Sequence, residues 1–166
     1  MTHYDDAYRT AGQVFDPVRE PELFEGVLSK RFFAFIVDAI LIGFFLVLAS
    51  IVILAMGVIT LGVAWFLFAL PLFAIVALLY VALTLGGPRA ATPGMRLAGV
   101  TIRSTDGERI GAIIAAAHAL LFWFSVSILT PLVLLIGLFS NRKRLLHDML
   151  LGTVILNVDP LARTRR

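Results

Sequence analysis

The chain contains no cysteine, so disulfides, thiolate metal ligands and thiol nucleophiles are excluded, and redox usage says nothing about compartment. It is also poor in charge. Only 15% of its 166 residues are Asp, Glu, Lys or Arg, where a soluble domain carries about a quarter. Two long stretches carry no Asp, Glu, Lys or Arg: the one between Asp38 and Arg89 and the one between Arg109 and Arg142. With 60% hydrophobic residues, this is the composition of an integral membrane protein. Patterns of catalysis are missing too. There is no HExxH, no Ser/His/Asp order, and no glycine spacing of a P-loop or dinucleotide fingerprint. No enzyme, metal site or cofactor is expected. Nor is a cleavable signal peptide, because the first apolar run starts behind an acidic arm and is too long for a signal core.

What is present falls into three parts. Residues 1–20 are polar and mixed, and read as a flexible tail. Residues 21–158 hold the apolar runs, and residues 159–166 form a basic tail. The fold class expected is an all-α membrane protein, a bundle of three main apolar segments. Spans are expected over about 32–56, 64–85 and 110–130, followed by a short apolar piece over 131–139. Pro71 should kink the second span and Pro131 should break the third region. Pro21 and the acids after it suggest a helix start. Phe24, Val27, Leu28 and Arg31 share a face there, so this turn is expected in the membrane interface. The apolar connection near residue 60 is short, so the first two spans should pair antiparallel. Residues 97–103 and 152–158 are strand-like and can pair outside the bilayer, on the cytoplasmic side. Asp106-Gly107 is a good turn dipeptide.

The basic residues set the topology. Lys30, Arg31 and the 88–109 loop should be cytoplasmic, with two spans between them. Arg142, Lys143 and Arg144 ask for the same side, which an odd third crossing would deny them. Residues 110–139 make about 45 Å of helix, too long for one upright span and too short for two. Either a re-entrant piece after Pro131 returns the chain, which is preferred, or one tilted crossing breaks the charge rule. These basic clusters suit an anionic bilayer surface better than nucleic acid. The expected setting is the bacterial inner membrane, multi-pass, with the N-terminus cytoplasmic.

Among the polar residues, Asp38 is the sharpest signal. A charge unpaired in a bilayer costs about 3 kcal/mol or more. Arg31 lies seven residues earlier, on nearly the same helix face and about 10 Å away along the axis. Two readings stand. Asp38 is an ion or proton site tuned by burial and by Arg31, or it is one half of a structural ion pair. His118 lies inside an otherwise uncharged segment, as an interhelical hydrogen-bond partner or a proton relay. Neighbours on a helix diverge by about 100°, so His147-Asp148 is no ready dyad and is expected to be solvated. Gly111, Ala115 and Ala119 form a small-residue stripe, expected to pack within the chain. Thr92-Pro93-Gly94 and Gly99 mark turns of special backbone geometry.

The order of these marks resembles the RDD family of small bacterial membrane proteins. An Arg opens the first span and an Asp lies seven residues inside it. Then come Thr92-Pro93-Gly94 with Gly99, Asp106-Gly107, Leu146-His147-Asp148, and Gly152-Thr153. The resemblance covers roughly residues 26–158 and implies that Arg31, Asp38 and Asp148 are the namesake residues. It also exposes two departures. Met95, followed by Arg96, stands where a Lys is usual, and His118 stands where an embedded Arg is usual. Losing that Arg changes the charge balance of the interior.

The resemblance implies either of two functions. One is a cation/proton transporter or transporter subunit, in which Asp38 binds Na⁺ or H⁺ and Asp148 or His118 is a second polar station. Three spans seldom enclose a pathway alone, so this requires a homo-oligomer or a partner membrane protein. The other is a non-transporting adaptor or assembly subunit, in which Arg31, Asp38 and Asp148 clamp the 88–109 and 141–158 segments onto the helix ends. The family link tips the expectation toward transport.

Overall fold

In the computed structural model the described residues are 14–124 and 140–164. The dominant element is α1 (Val27–Ile59), preceded by a 3₁₀ turn over Pro21–Leu23. Its 33 residues contain no proline and make about 50 Å of helix. Few of its apolar side chains are covered within the chain, and its length and composition are those of a membrane crossing.

The second apolar run, expected as a span over 64–85 kinked at Pro71, is bent sharply there. Val63–Ala69 is a 3₁₀ helix, and α2 (Leu72–Leu85) turns away from it by 78°. Pro71 stands at the break, where its ring bars continuation of the preceding helix. The indole of Trp65 lies over Gly57, where a Cβ would collide with it, and its Nε1 donates to the Leu54 carbonyl at 3.3 Å. The 3₁₀ segment is thereby fixed against the far end of α1. α2 then runs back along α1. Ala77 meets Ile42, Tyr80 reaches Asp38, and Leu85 joins the cluster of Ala34 and Val27.

The chain next builds a small cap on the first turns of α1. It consists of α3 (Pro93–Leu97), β1 (Val100–Ser104), α5 (Leu146–Leu150), β2 (Thr153–Asn157) and α6 (Val158–Thr164); α4 (Ala112–Phe124) is the apolar helix between β1 and α5. The strand-like segments do pair, antiparallel, from Val100↔Asn157 to Ser104↔Thr153. Side chains alternate across a strand, and here both faces are covered. Ile155 joins Val100 and Ile102 in the cluster that includes Ala34 of α1. Val154 and Leu156 face the other way, onto Phe15, Leu23, Phe24 and Leu161. The same alternation aims Thr153 and Asn157 toward α1.

That second cluster corrects the expected interfacial turn. Leu23 and Phe24 are buried against β2 and the C-terminal helix, and Val27 is buried in the cluster of Ala34 and Val100. The segments expected as tails also take part from Val14 onward: Phe15 is buried, Val14 N donates to Thr105 O at 3.0 Å, and α6 inserts Leu161. α4 starts against the end of α2, so closely that a Cβ on Gly86 would collide with the Ala112 backbone. Of the small-residue stripe, Ala115 and Ala119 are buried and pack within the chain, while Gly111 is exposed. The break at Pro131 and the piece over 131–139 lie outside the described residues.

Candidate functional site

The polar residues of α1 feed two neighbouring clusters. In the first, Asp38 accepts three hydrogen bonds, all from neutral donors. Tyr80 Oη donates to Oδ1 at 2.6 Å, Gly94 N to Oδ1 at 2.8 Å, and Thr92 Oγ1 to Oδ2 at 2.5 Å. Thr92 is also the N-cap of α3, its hydroxyl oxygen accepting from Met95 N at 3.2 Å. Pro93 at the first helical position has no N–H to satisfy, and Gly94 brings its own onto the carboxylate. Thr-Pro-Gly is thus a short helix start built around an acid from another helix. Gly94 is required by contact rather than by φ. A Cβ there would collide with the Ala34 carbonyl oxygen and lie 2.8 Å from the Asp38 carboxyl carbon.

The second cluster centres on Asp148, which is wholly buried with His147 beside it. This corrects the expectation of a solvated pair on a helix surface. α5 has only five residues, and its His147 and Asp148 both point inward while Met149 and Leu150 are exposed. Arg31 Nη1 lies 2.5 Å from Asp148 Oδ2, and Leu145 N donates to the same oxygen at 2.9 Å. His118 Nε2 lies 2.8 Å from Oδ1, with Thr153 Oγ1 at 3.5 Å. An ionised carboxylate has about four acceptor positions, and Asp148 meets a donor at each. Arg31 therefore pairs with Asp148 and not with Asp38.

Partners assign the imidazole protons. Asp148 only accepts, so His118 carries a proton on Nε2. A guanidinium only donates, and Arg31 Nη2 stands 3.3 Å from His147 Nε2. That nitrogen is therefore the acceptor, and the His147 proton sits on Nδ1, which is buried without a hydrogen-bond partner among the described residues. The 3.6 Å approach of His147 Nε2 to Asp148 Oδ1 then sets two acceptors side by side and is no ion pair.

Burial alone would raise the Asp148 pKa. The Arg31 charge, the His118 hydrogen bond and the other imidazole outweigh it and hold the carboxyl well below the usual range. For His147 burial dominates, with His118 and Arg31 adding to it and Asp148 opposing, and its pKa falls from 6.5 to about 4. Between those values the unfolded chain binds a proton that the folded chain excludes, so stability rises with pH across this window. We expect unfolding free energy in detergent to fall by about 2 kcal/mol from pH 7 to pH 5 through this group. His147→Gln should flatten the profile, and an equally steep profile in that variant would remove His147 as its source.

Donor atoms of His118, His147 and Asp148 lie within 4.8 Å of one another, a spacing a metal ion could bridge. The fit is poor on charge. Arg31 already supplies the cation at Asp148, and a divalent ion would add two more positive charges beside it. The donor set reads as an ion-pair cluster.

Both clusters border one cavity of about 170 Å³, lined by Arg31, Asp38, Thr92, His118, Phe122 and Trp123 among others. The remaining residues singled out in the sequence lie around them. Gly99 and Gly152 have φ of +71° and +60°, and Gly99 O accepts from Val158 N at the end of the sheet. Lys30 does not reach outward: its Nζ donates to Asn157 Oδ1 at 2.7 Å. Arg142 is buried at 8% exposure, Lys143 has a positive φ, and Arg144 keeps a buried Nε without a hydrogen-bond partner among the described residues.

The sequence between residues 26 and 152 matches the RDD family. The chain belongs to the RDD family. No curated protein and no solved structure matches it. As an RDD-family membrane protein it has, among the described residues, one helix long and apolar enough by itself to cross a bilayer, near the N-terminus.

Three participants are not evident from sequence reasoning. Tyr80 is the phenol in an otherwise apolar run, and that polar handle is the available signal. Asn157 binds the carbonyls of Glu22 and Glu25 at 2.8 and 2.9 Å, tying β2 to the entry of α1. Nothing local marks it. His147 is visible in the sequence, but its pattern points to solvent.

Proposed function

We propose that this RDD-family chain is a membrane scaffold, an adaptor or assembly subunit that holds a rigid cap on a membrane helix for a partner protein. One observation carries the reading: all three namesake residues are engaged in internal contacts that join the cap to α1. Asp38 holds the 88–109 segment through Thr92 and Gly94, and Arg31 holds the 141–158 segment through Asp148. Lys30 and Asn157 add a third tie. From Ala39 to Ile59, α1 offers about 31 Å of uncharged helix, close to the thickness of a hydrocarbon core. Asp38 then lies at the membrane face instead of mid-bilayer. Basic residues of the cap favour the cytoplasmic side of a bacterial inner membrane in this reading, with α2 and α4 as further apolar segments of a multi-pass chain.

Transport is the second reading, favoured by the cavity. Asp38 Oδ2 takes one donor among the described residues, and the cavity also meets Arg31 and His118. A Na⁺ or H⁺ site there would need an oligomer or a partner to complete a pathway.

The deciding experiment pairs crosslinking in native membranes with flux from the purified chain. The scaffold reading expects one stoichiometric crosslinked partner and no Na⁺- or Li⁺-driven pH change in proteoliposomes. Exchange in the wild type that disappears in Asp38→Asn would replace it by transport.

A further inference from the structure

A second concavity, away from the two polar clusters, lies where β1, its flanking loops and α6 meet. It encloses about 710 Å³ and is lined by Arg89, Thr101, Arg103, Glu108, Arg109 and Leu161, among others. Among the described residues three arginines and one glutamate line it. We propose that this cleft binds the phosphate of an anionic phospholipid headgroup.

Position argues for a lipid. Arg89 follows the end of α2 by four residues, and Arg109 precedes the start of α4 by three. These helix ends touch at Gly86 and Ala112, so the two arginines leave the apolar layer at one level. If α2 and α4 enter the bilayer, that level is the headgroup region. This step rests on the multi-pass reading but not on the scaffold role.

Chemistry agrees. The Arg fork matches the oxygens of a phosphate bidentately, which an ammonium cannot do. Arg89 and Arg109 are exposed at the rim. Arg103 is fixed within the cleft, its Nη1 donating to Ile102 O at 3.0 Å and Thr101 Oγ1 at 3.3 Å. Val158, Leu161 and Ala162 give the opposite wall an apolar character suited to the glycerol end of a lipid. A free phosphate would use the arginines but not that wall.

The test uses the full chain in a neutral maltoside detergent at constant ionic strength. Melting is followed while dihexanoyl phosphatidylglycerol, dihexanoyl phosphatidylcholine or inorganic phosphate is added. Phosphatidylglycerol at about ten times its dissociation constant should raise the midpoint by about 3 °C, and the other two should not. Arg89→Gln with Arg109→Gln should abolish the shift. No shift in the wild type, or an undiminished shift in the pair, overturns the proposal. A full shift with inorganic phosphate overturns the headgroup assignment in favour of a soluble anion. Should the Gln pair fail to fold, the Arg89→Lys, Arg109→Lys pair keeps charge and removes the forks. At least half the shift should then be lost, and an unchanged shift overturns the proposal. Flux and crosslinking are unaffected by this outcome, so its failure is separate from failure of the scaffold reading.

Discussion

Asp148→Asn is expected to destabilise the folded chain by about 3–5 kcal/mol, the usual cost of removing one partner from a buried ion pair. The carboxylate is wholly buried and receives Arg31, His118 and the Leu145 N–H, with Thr153 at longer range. An asparagine keeps one oxygen but turns an NH₂ group onto donors on its other side, and it strands the Arg31 charge. Arg31→Met should cost a similar amount, leaving Asp148 without its cation. The double variant Arg31→Met, Asp148→Leu is the more telling one. Replacing both leaves no stranded charge, so the double should cost less than the sum of its two single changes, even with His118 Nε2 and Leu145 N deprived of their acceptor. Unfolding followed in mixed micelles for wild type, Arg31→Met, Asp148→Leu and the double gives the coupling directly. An Asp148→Asn chain within about 1 kcal/mol of wild type would mean that the cap does not depend on this cluster.

Where sequence reasoning succeeds, it follows patterns that are local. The long apolar run of α1, the strand-like segments and the antiparallel return of α2 each follow from periodicity, composition or connection length. The bend at Pro71 is legible as a bend, but its 78° is not, because the angle is set by Trp65 packing on Gly57 across a turn. Pairing of the polar residues is the harder part. Seven residues on one helix suggest Arg31 for Asp38, yet a carboxylate can be satisfied by neutral donors, and Tyr80, Thr92 and Gly94 come from two later segments. Arg31 is then available to Asp148, far away in the chain. His147-Asp148 misleads for a different reason. A separation of 100° still lets two helix neighbours share the inner side, and here His147 and Asp148 are wholly buried while Met149 and Leu150 take the exposed side. Gly94 is legible as a backbone special, but the reason is steric contact with α1, which only the fold reveals.

That contact supplies the second large effect. Gly94→Ala is expected to cost about 3 kcal/mol or more, although it adds a single methyl group. Overpacking a close contact typically costs about 1–3 kcal/mol. Here the obstacle is largely the Ala34 backbone carbonyl, which cannot rotate away as a side chain would. Moving α3 outward to relieve it stretches the Gly94 N–H and Thr92 hydroxyl bonds to Asp38, and hydrogen bonds to a charged group contribute about 1.5–3 kcal/mol each. Gly43 is the control. It lies in α1 with nothing within 4 Å of the place a Cβ would take, so Gly43→Ala should be neutral or slightly stabilising. Gly99 is a second control: its φ of +71° makes Gly99→Ala cost about 1–2 kcal/mol through backbone strain alone, with open space around it. Unfolding in mixed micelles should therefore rank Gly94→Ala as most damaging, then Gly99→Ala, then Gly43→Ala. The ranking bears on function. If Gly94→Ala melts no earlier than Gly99→Ala, the grip of α3 on Asp38 is weak, and the carboxylate is available for a cation as the transport reading requires. If it is the most damaging of the three, Asp38 is committed to holding the cap, and an ion could use it only by releasing the cap from α1.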